Sequence, residues 1–299
     1  MTDAVSSAAA SDRSESLQPE QVHVHLAPSL FEPSDLSGSV AVMIDVLRAS
    51  TTICQALESG AEAVVPLSEV PRTLALARSD AAGIAGGERE GTPPEGFDLG
   101  NSPSDYTPSN VSEKVVYFTT TNGTQALQRM RQADEVLIAA FVNKDAVVAR
   151  LRNERRPVHF VCAGTDGAKT AEDVLLAGAL VAALLGEVPL GAPLGTQLAH
   201  DHFRYRQSNG GLAAAVKAGQ GGKNLQRIGL ERDIDAALQP STIDLVPSWD
   251  LRTNRLTVVD RVRPSGVAST AGESTDGTAE SSAKTDSSST ADDDGLGGW

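Results

Sequence analysis

Cysteine is almost absent: the chain of 299 residues carries two, Cys54 and Cys162, both inside apolar runs. That excludes a disulfide framework and fits buried free thiols of a reducing compartment. Aromatic residues are scarce at 4%, and the 25 lysines and arginines are outnumbered by 39 acids, for a formal net charge of −14. With no basic stripe carrying interleaved aromatics, nucleic acid is not an expected partner. The longest apolar run, around Leu175 to Leu185, is too short to span a bilayer and contains Gly178. No basic start followed by an apolar stretch marks the N-terminus. A cytoplasmic protein without membrane association is therefore expected. The P-loop pattern and the GxGxxG fingerprint are missing. Leu47 stands two residues after Asp45, where a paired-aspartate phosphatase signature would place its second acid.

Both ends lack apolar periodicity. Residues 1–20 are Ala/Ser-rich, and residues 264–299 are Ser, Thr, Gly, Ala and Asp. Such segments bury too little apolar surface to offset their ordering entropy and read as disordered. Nine of the fourteen net negative charges sit in these two ends, so the acidity is largely a property of the tails. Residues 21–263 read as one α/β domain, divisible into two similar subdomains.

Inside that domain, short apolar runs alternate with helical spacing. Val40 to Ile44 stops at Asp45 and reads as a strand buried on both faces; Ala63–Leu67, Val115–Phe118, Val136–Ala140 and Val158–Cys162 read likewise. Helices are predicted between them, over Thr51–Ser59, Pro71–Arg78, Gln125–Arg131, Lys144–Asn153 and Ala171–Leu185. His23 and His25 alternate in a first strand, and Leu256–Val259 reads as a last one. The fold class is α/β, layered α/β/α, with a mostly parallel sheet. An internal echo lays Ser50–Leu57 on Thr120–Leu127 with Gln-Ala-Leu in register, and Ala61–Val65 on Ala133–Leu137, which points to a duplicated unit. The intervening stretch, Gly83 to Pro108, is Gly/Pro-rich and without a period. Its charged residues fall in ordered clusters, which favours function over disorder.

In open α/β sheets ligands sit beyond the C-terminal ends of the strands. Three such ends carry polar turns: Asp45, Arg48, Ser50 and Thr51; Thr119 to Thr124; and Gly164 to Gly167, followed by Glu172 and Asp173. Ser/Thr/Gly turns before helix N-termini present unpaired amides and positive potential, which suits a phosphate or sulfonate. Each turn by itself is also explained by helix capping. Magnesium takes carboxylates, water and phosphate oxygens, and Asp45, Glu88, Asp98 and Asp173 are the candidate ligands. Arg48 and Arg89 suit bidentate contact with phosphate or sulfonate, or ion pairs with neighbours such as Glu88 and Glu90. Cys162 has no following Cys-to-Arg cradle and reads as a packed thiol. His200 and His202 make only a weak zinc half-site, with nothing to complete it. From these residues alone the reading is an α/β enzyme or a binding protein for a small anion.

Four strings go further: Ile44-Asp45-Val46-Leu47-Arg48-Ala49-Ser50-Thr51-Thr52, Gly87-Glu88-Arg89, Gly96-Phe97-Asp98-Leu99-Gly100-Asn101-Ser102-Pro103 and Thr119-Thr120-Thr121-Asn122-Gly123-Thr124. With Cys162-Ala163-Gly164, Glu172-Asp173, Gly229 to Asp235 and Val246-Pro247, they resemble the 2-phosphosulfolactate phosphatase family, in order, from about Val22 to Val259. The resemblance implies a magnesium-dependent phosphomonoesterase acting on 2-phospho-3-sulfolactate, on a route towards coenzyme M. The alternatives are a phosphatase for another small phosphorylated hydroxy acid, or a non-catalytic small-anion-binding protein. The implied catalytic set is Asp45, Arg48, Glu88, Arg89 and Asp98. Ser50, Thr51, Asn101, Ser102, Thr121, Asn122, Gly123, Thr124 and Gly164 would bind substrate. Oligomeric state is left open, a homo-oligomer included.

Overall fold

The computed structural model describes residues 17–262. The tail 264–299 and residues 1–16 lie outside this range; residues 17–20, expected to be disordered, are ordered, with Leu17 buried in the core and Pro19–Gln21 forming a 3-10 turn.

Three apolar runs, Val40–Ile44, Ala63–Leu67 and Val158–Cys162, are buried at every position, and with them the described residues form nine strands. In chain order these are β1 (Val22–His25), β2 (Val40–Ile44), β3 (Ala63–Leu67), β4 (Gly83–Gly87), β5 (Val115–Thr119), β6 (Glu135–Ala139), β7 (Val158–Cys162), β8 (Leu245–Asp250) and β9 (Arg255–Arg261). Two were not anticipated. β8, Leu-Val-Pro-Ser-Trp-Asp, is mixed in polarity and contains a proline. β4, Gly-Ile-Ala-Gly-Gly, has no strand composition. Its glycines are there for close approach: a β-carbon on Gly86 would stand 2.3 Å from the Tyr106 hydroxyl, and one on Gly87 would stand 1.9 Å from the Thr119 carbonyl oxygen. Such contacts exclude every side chain, so packing overrides strand propensity here.

The helices are α1 (Ala49–Glu58), α2 (Val70–Ser79), α3 (Pro108–Val111), α4 (Asn122–Arg129), α5 (Lys144–Leu151), α6 (Ala171–Leu185), α7 (Leu194–Ser208), α8 (Leu212–Ala218), α9 (Gln220–Arg227) and α10 (Glu231–Ala237). Among the described residues no helix is long and apolar enough to cross a membrane.

The strands form one mixed sheet in the order β1-β7-β2-β6-β8-β9-β3-β5-β4. The groups β1-β7-β2-β6 and β3-β5-β4 are each parallel. The β8–β9 hairpin joins them, pairing antiparallel with β6 on one side and β3 on the other. The duplication heard in the sequence is present, with an exchange of strands. The unit β2-α1-β3-α2-β4 repeats as β5-α4-β6-α5-β7, but each first strand pairs with the second strand of the other unit. Val40–Ile44 runs beside Glu135–Ala139, and Ala63–Leu67 beside Val115–Thr119. The equivalence extends to single hydrogen bonds: Ala163 N–H donates to the Ile44 carbonyl (2.8 Å) as Glu88 N–H donates to that of Thr119 (2.9 Å). The helices α1 and α4 therefore both pass between the two parallel groups. They share one core, in which Met43, Ile53, Leu57, Val116, Phe118, Leu127 and Ile138 are all buried.

The outer face of the first group is covered by α5, α6 and α7. The helix α6 carries Glu172 and Asp173 on its first turn, and its seating depends on Gly178, where α7 crosses. A β-carbon at Gly178 would stand 2.1 Å from the Ala199 carbonyl oxygen and 2.7 Å from Phe203 Cβ. Gly178→Ala should therefore lower unfolding free energy by about 1–3 kcal/mol, the usual cost of overpacking, although alanine is the better helix former. Urea denaturation measures this; an unchanged or higher midpoint would show that the two helices do not need this contact.

Candidate active site

Strand exchange brings the polar turns after β2, β4, β5 and β7 to one place. They surround a cleft of about 510 Å³, lined by Asp45, Arg48, Glu88, Glu90, Gly91, Asn101, Thr120, Thr121, Asn122, Thr165 and Asp166, and closed on one side by α9 through Gln220, Asn224, Leu225, Arg227 and Ile228. The approach of the first turn to the third is limited by glycine: a β-carbon on Gly123 would stand 2.9 Å from both the Ala49 β-carbon and Asp45 Oδ2.

Asp45 sits on the cleft wall, 7% exposed. Its Oδ1 accepts the Ala49 N–H at 3.2 Å, and its own N–H donates to Ser50 Oγ at 2.9 Å. Among the described residues nothing donates to Oδ2. Behind it, Asp173 ties two turns together: Oδ1 accepts the Val46 N–H and Oδ2 the Gly164 N–H, each at 2.9 Å. Burial, then the Asp173 carboxylate, pushes the Asp45 carboxyl well above the usual range, against the pull of the Ala49 amide. Burial also raises Asp173, partly offset by its amide donors. Burial and the neighbouring Asp173 charge push Glu172 up to about 8, and its Oε2 is buried without a partner.

Across the cleft, Glu88 braces the turn before α4: Oε1 accepts the Thr121 N–H at 2.7 Å and Oε2 the Gly91 N–H at 2.9 Å. Asn122 Oδ1 accepts the Asp166 N–H at 3.1 Å. Asn101 lines the cleft with Oδ1 buried and unpartnered. Arg48 is buried at the cleft wall. One guanidinium nitrogen donates to Asp233 Oδ2 at 2.7 Å and another to the Gly91 carbonyl at 2.8 Å, while Ser102 Oγ donates to Asp233 Oδ1 at 2.6 Å.

Of the sequence candidates, Asp45, Arg48, Glu88, Asn101, Thr121 and Asn122 thus share the cleft. Ser50, Thr51, Ser102, Gly123, Thr124, Gly164 and Asp173 lie immediately behind it and hold its turns. Thr51 Oγ1, for example, donates to the Val46 carbonyl at 2.8 Å, and Thr124 N–H donates to Thr120 Oγ1 at 3.2 Å. Two candidates are not brought in. The guanidinium of Arg89 is spent on the Glu88 and Ser68 carbonyls and Thr119 Oγ1, clamping three strand ends together. Exposed Asp98 accepts the Ala85 N–H at 2.8 Å and fastens its loop to the edge of β4. Sequence reasoning gave no site role to Asp233 or to α9, and it noted Glu172 beside the third turn without assigning it a function. Asp233 lies inside the matched stretch Gly229 to Asp235, but nothing local marks it as Arg48's partner. Among the described residues no three His, Cys, Asp or Glu converge as a ready-made metal cage.

An α/β fold with buried carboxylates, a buried guanidinium and helix N-terminal turns converging on one polar cleft defines an enzyme-type site for a small charged ligand. The family model for 2-phosphosulpholactate phosphatase matches residues 25–251, and the chain belongs to that family. Relatives named "Probable 2-phosphosulfolactate phosphatase" include that of Symbiobacterium thermophilum, 38% identical over 71% of this chain and 92% of its own. Those of a Synechococcus strain and Thermotoga petrophila are each 37% identical, covering 73% and 76% of this chain and 92% and 94% of theirs.

Two outcomes follow from the buried charges. Asp233→Ala strands the Arg48 guanidinium in the interior and should cost about 3–5 kcal/mol of stability, read by chemical denaturation; a loss below about 1 kcal/mol would mean the pair is solvated. Glu172 is easier to keep neutral in the fold than in the unfolded chain. Its contribution is complete below the ordinary carboxylate pKa and is lost as pH rises through its raised folded value. His25 and His159, lowered by burial to about 4 and about 3, no longer titrate in either state well above the ordinary histidine pKa. Between about pH 7 and 8, melting of the metal-free protein should therefore move to lower temperature, and Glu172→Gln should reduce that slope.

Proposed function

We propose that the chain is a magnesium-dependent phosphatase that hydrolyses 2-phospho-3-sulfolactate, or a closely related phosphorylated hydroxy acid, to the free hydroxy acid and phosphate. For the sulfolactate ester, the product belongs to sulfonate metabolism of the coenzyme M type. Family membership supports the reaction class. The observation that carries the metal is the charge of the cleft: Asp45, Glu88, Glu90 and Asp166 line it against Arg48 and Arg227, and the Arg48 charge is already met by Asp233. A phosphate ester entering a net-anionic, partly desolvated cleft needs a cation to offset the repulsion.

The donor set fits a hard ion. Asp45 Oδ2 has no protein donor and Asn101 Oδ1 is buried and orphaned, both oxygen ligands on the cleft wall. With Glu88 opposite, these residues would hold magnesium, which uses few protein carboxylates and keeps water and phosphate oxygens in its shell. When bound, the ion neutralises charge on the phosphoryl oxygens.

The chain's own residues do the remainder. The first amides of α4, at Asn122 and Gly123, face the phosphoryl group with the positive end of the helix dipole behind them. Glu88 fixes that turn through the Thr121 N–H. Asp45, as its carboxylate, orients the attacking water and takes its proton as the ester P–O bond breaks, and that proton passes to the departing hydroxy-acid oxygen. Phosphoryl transfer asks for little else than placement and charge stabilisation.

The test is phosphate release over a panel of phosphorylated hydroxy acids. Turnover should disappear with EDTA and return with magnesium. Asp45→Asn should lower kcat by about a hundredfold or more, the usual weight of a general base. Full activity in the variant removes Asp45 from the mechanism, and no turnover on any ester with magnesium present removes the phosphatase reading.

A further inference from the structure

Resting on the reading of the cleft as a phosphate-ester site, we propose that Arg227 on α9 is the specificity-determining residue that binds the substrate's second acidic group, a sulfonate or carboxylate.

A substrate carrying a second strong anion besides its phosphate brings that charge into a cleft already rich in carboxylates. Arg89 is turned away, its guanidinium occupied by two backbone carbonyls and Thr119 Oγ1. Arg48 is 3% exposed at its side chain and forms a buried pair with Asp233, so its net charge towards the cleft is cancelled at 2.7 Å. Arg227 is the other guanidinium on the lining. It forms neither an ion pair nor a side-chain hydrogen bond with any described residue, and it is exposed at the rim. Its full charge is thus available to a ligand.

The helix around it is built to hold that charge over the cleft. Leu225 is buried in the core and seats α9, and Ile228 packs over the Gly91 loop, where a β-carbon on Gly91 would stand 3.0 Å from Ile228 Cδ1. Gln220, Asn224 and Arg227 recur at helical spacing along the cleft side, while Lys223 and Gln226 face elsewhere. The root of α9 is fixed as well. Gly221 lies against the buried Glu172 carboxylate, where a β-carbon would stand 2.0 Å from Glu172 Oε1. Arg227 therefore lines the cleft from the last turn of an anchored helix, six residues beyond Gly221. A molecule whose phosphate lies at Asp45 would present its other acid towards α9. A guanidinium meets a planar carboxylate or a sulfonate with paired N–H donors, which lysine cannot reproduce.

The test compares wild type, Arg227→Gln and Arg227→Lys with magnesium present. Two substrates are used: 2-phospholactate, which bears a carboxylate beside the phosphate, and ethyl phosphate, which bears no second acid. The ratio of kcat/KM for 2-phospholactate over ethyl phosphate should fall by about tenfold or more in Arg227→Gln, mainly through KM. The fall should be smaller in Arg227→Lys. A ratio unchanged from wild type overturns the proposal, as does a loss confined to kcat. A second arm does not depend on turnover: calorimetric binding of 3-sulfolactate, which has no phosphate, should weaken by about tenfold in Arg227→Gln. Equal affinity in the two proteins overturns the assignment even if the wild type hydrolyses both esters. Sulfolactate binding lost in Arg227→Gln, with no ester hydrolysed by wild type, would keep the assignment and sink the phosphatase reading.

Discussion

The site depends on one constraint, the exchange of second strands between two copies of a β-α-β unit. Each first strand, β2 or β5, sends its helix across to the other parallel group, so α1 and α4 start side by side and run apart. Were the units paired within themselves, the turns after β2 and β5 would open at separate sheet edges. Paired as they are, the two turns approach until only glycine fits at position 123. The duplicated halves nevertheless carry different chemistry. Gln55 stands eleven residues after Ile44, whereas Gln125 stands six after Thr119, and the longer turn of the first copy supplies Arg48.

Charge is handled in two ways around this meeting point. Arg48 and Asp233 leave water together, and the pair is complete only because Ser102 and the Gly91 carbonyl supply further bonds. A buried pair of this kind adds little net stability but penalises any arrangement that separates its members. It therefore fixes how α10, the 91 loop and the turn after β2 fit together. Asp45, Glu172 and Asp173 have no such cations. They are buried close together; burial raises all three, and repulsion from Asp173 adds to it at Asp45 and Glu172. Concentrating acids in this way is costly for a structural core and typical of a functional site, where an incoming cation or a transferable proton offsets the cost.

Strand and helix positions were readable because the apolar runs are short, continuous and bounded by polar turns. Val40–Ile44, Ala63–Leu67 and Val158–Cys162 form strands over the lengths that their composition announces. The long helix Ala171–Leu185 is likewise legible from spacing. Gly83–Gly87 was not, since its strand conformation is imposed by the neighbouring backbone and by Tyr106. Asp45, Glu88, Asn101 and Asn122 could be picked from their strings. Arg89 and Asp98 sit in strings just as suggestive, yet their side chains bind local backbone. Composition around a residue does not reveal which way its side chain turns.

What the sequence determined by itself was the α/β class, the duplicated unit, the family and the turns that carry polar groups, because these rest on periodicity and short-range order. Tertiary structure decided which strands exchange partners, which of several acids and arginines face a common cleft, and that α9 closes it. Those outcomes depend on contacts between residues far apart in the chain, such as Arg48 with Asp233 or Gly221 with Glu172. The free energy of such contacts belongs to the packed arrangement and leaves no mark on either segment alone.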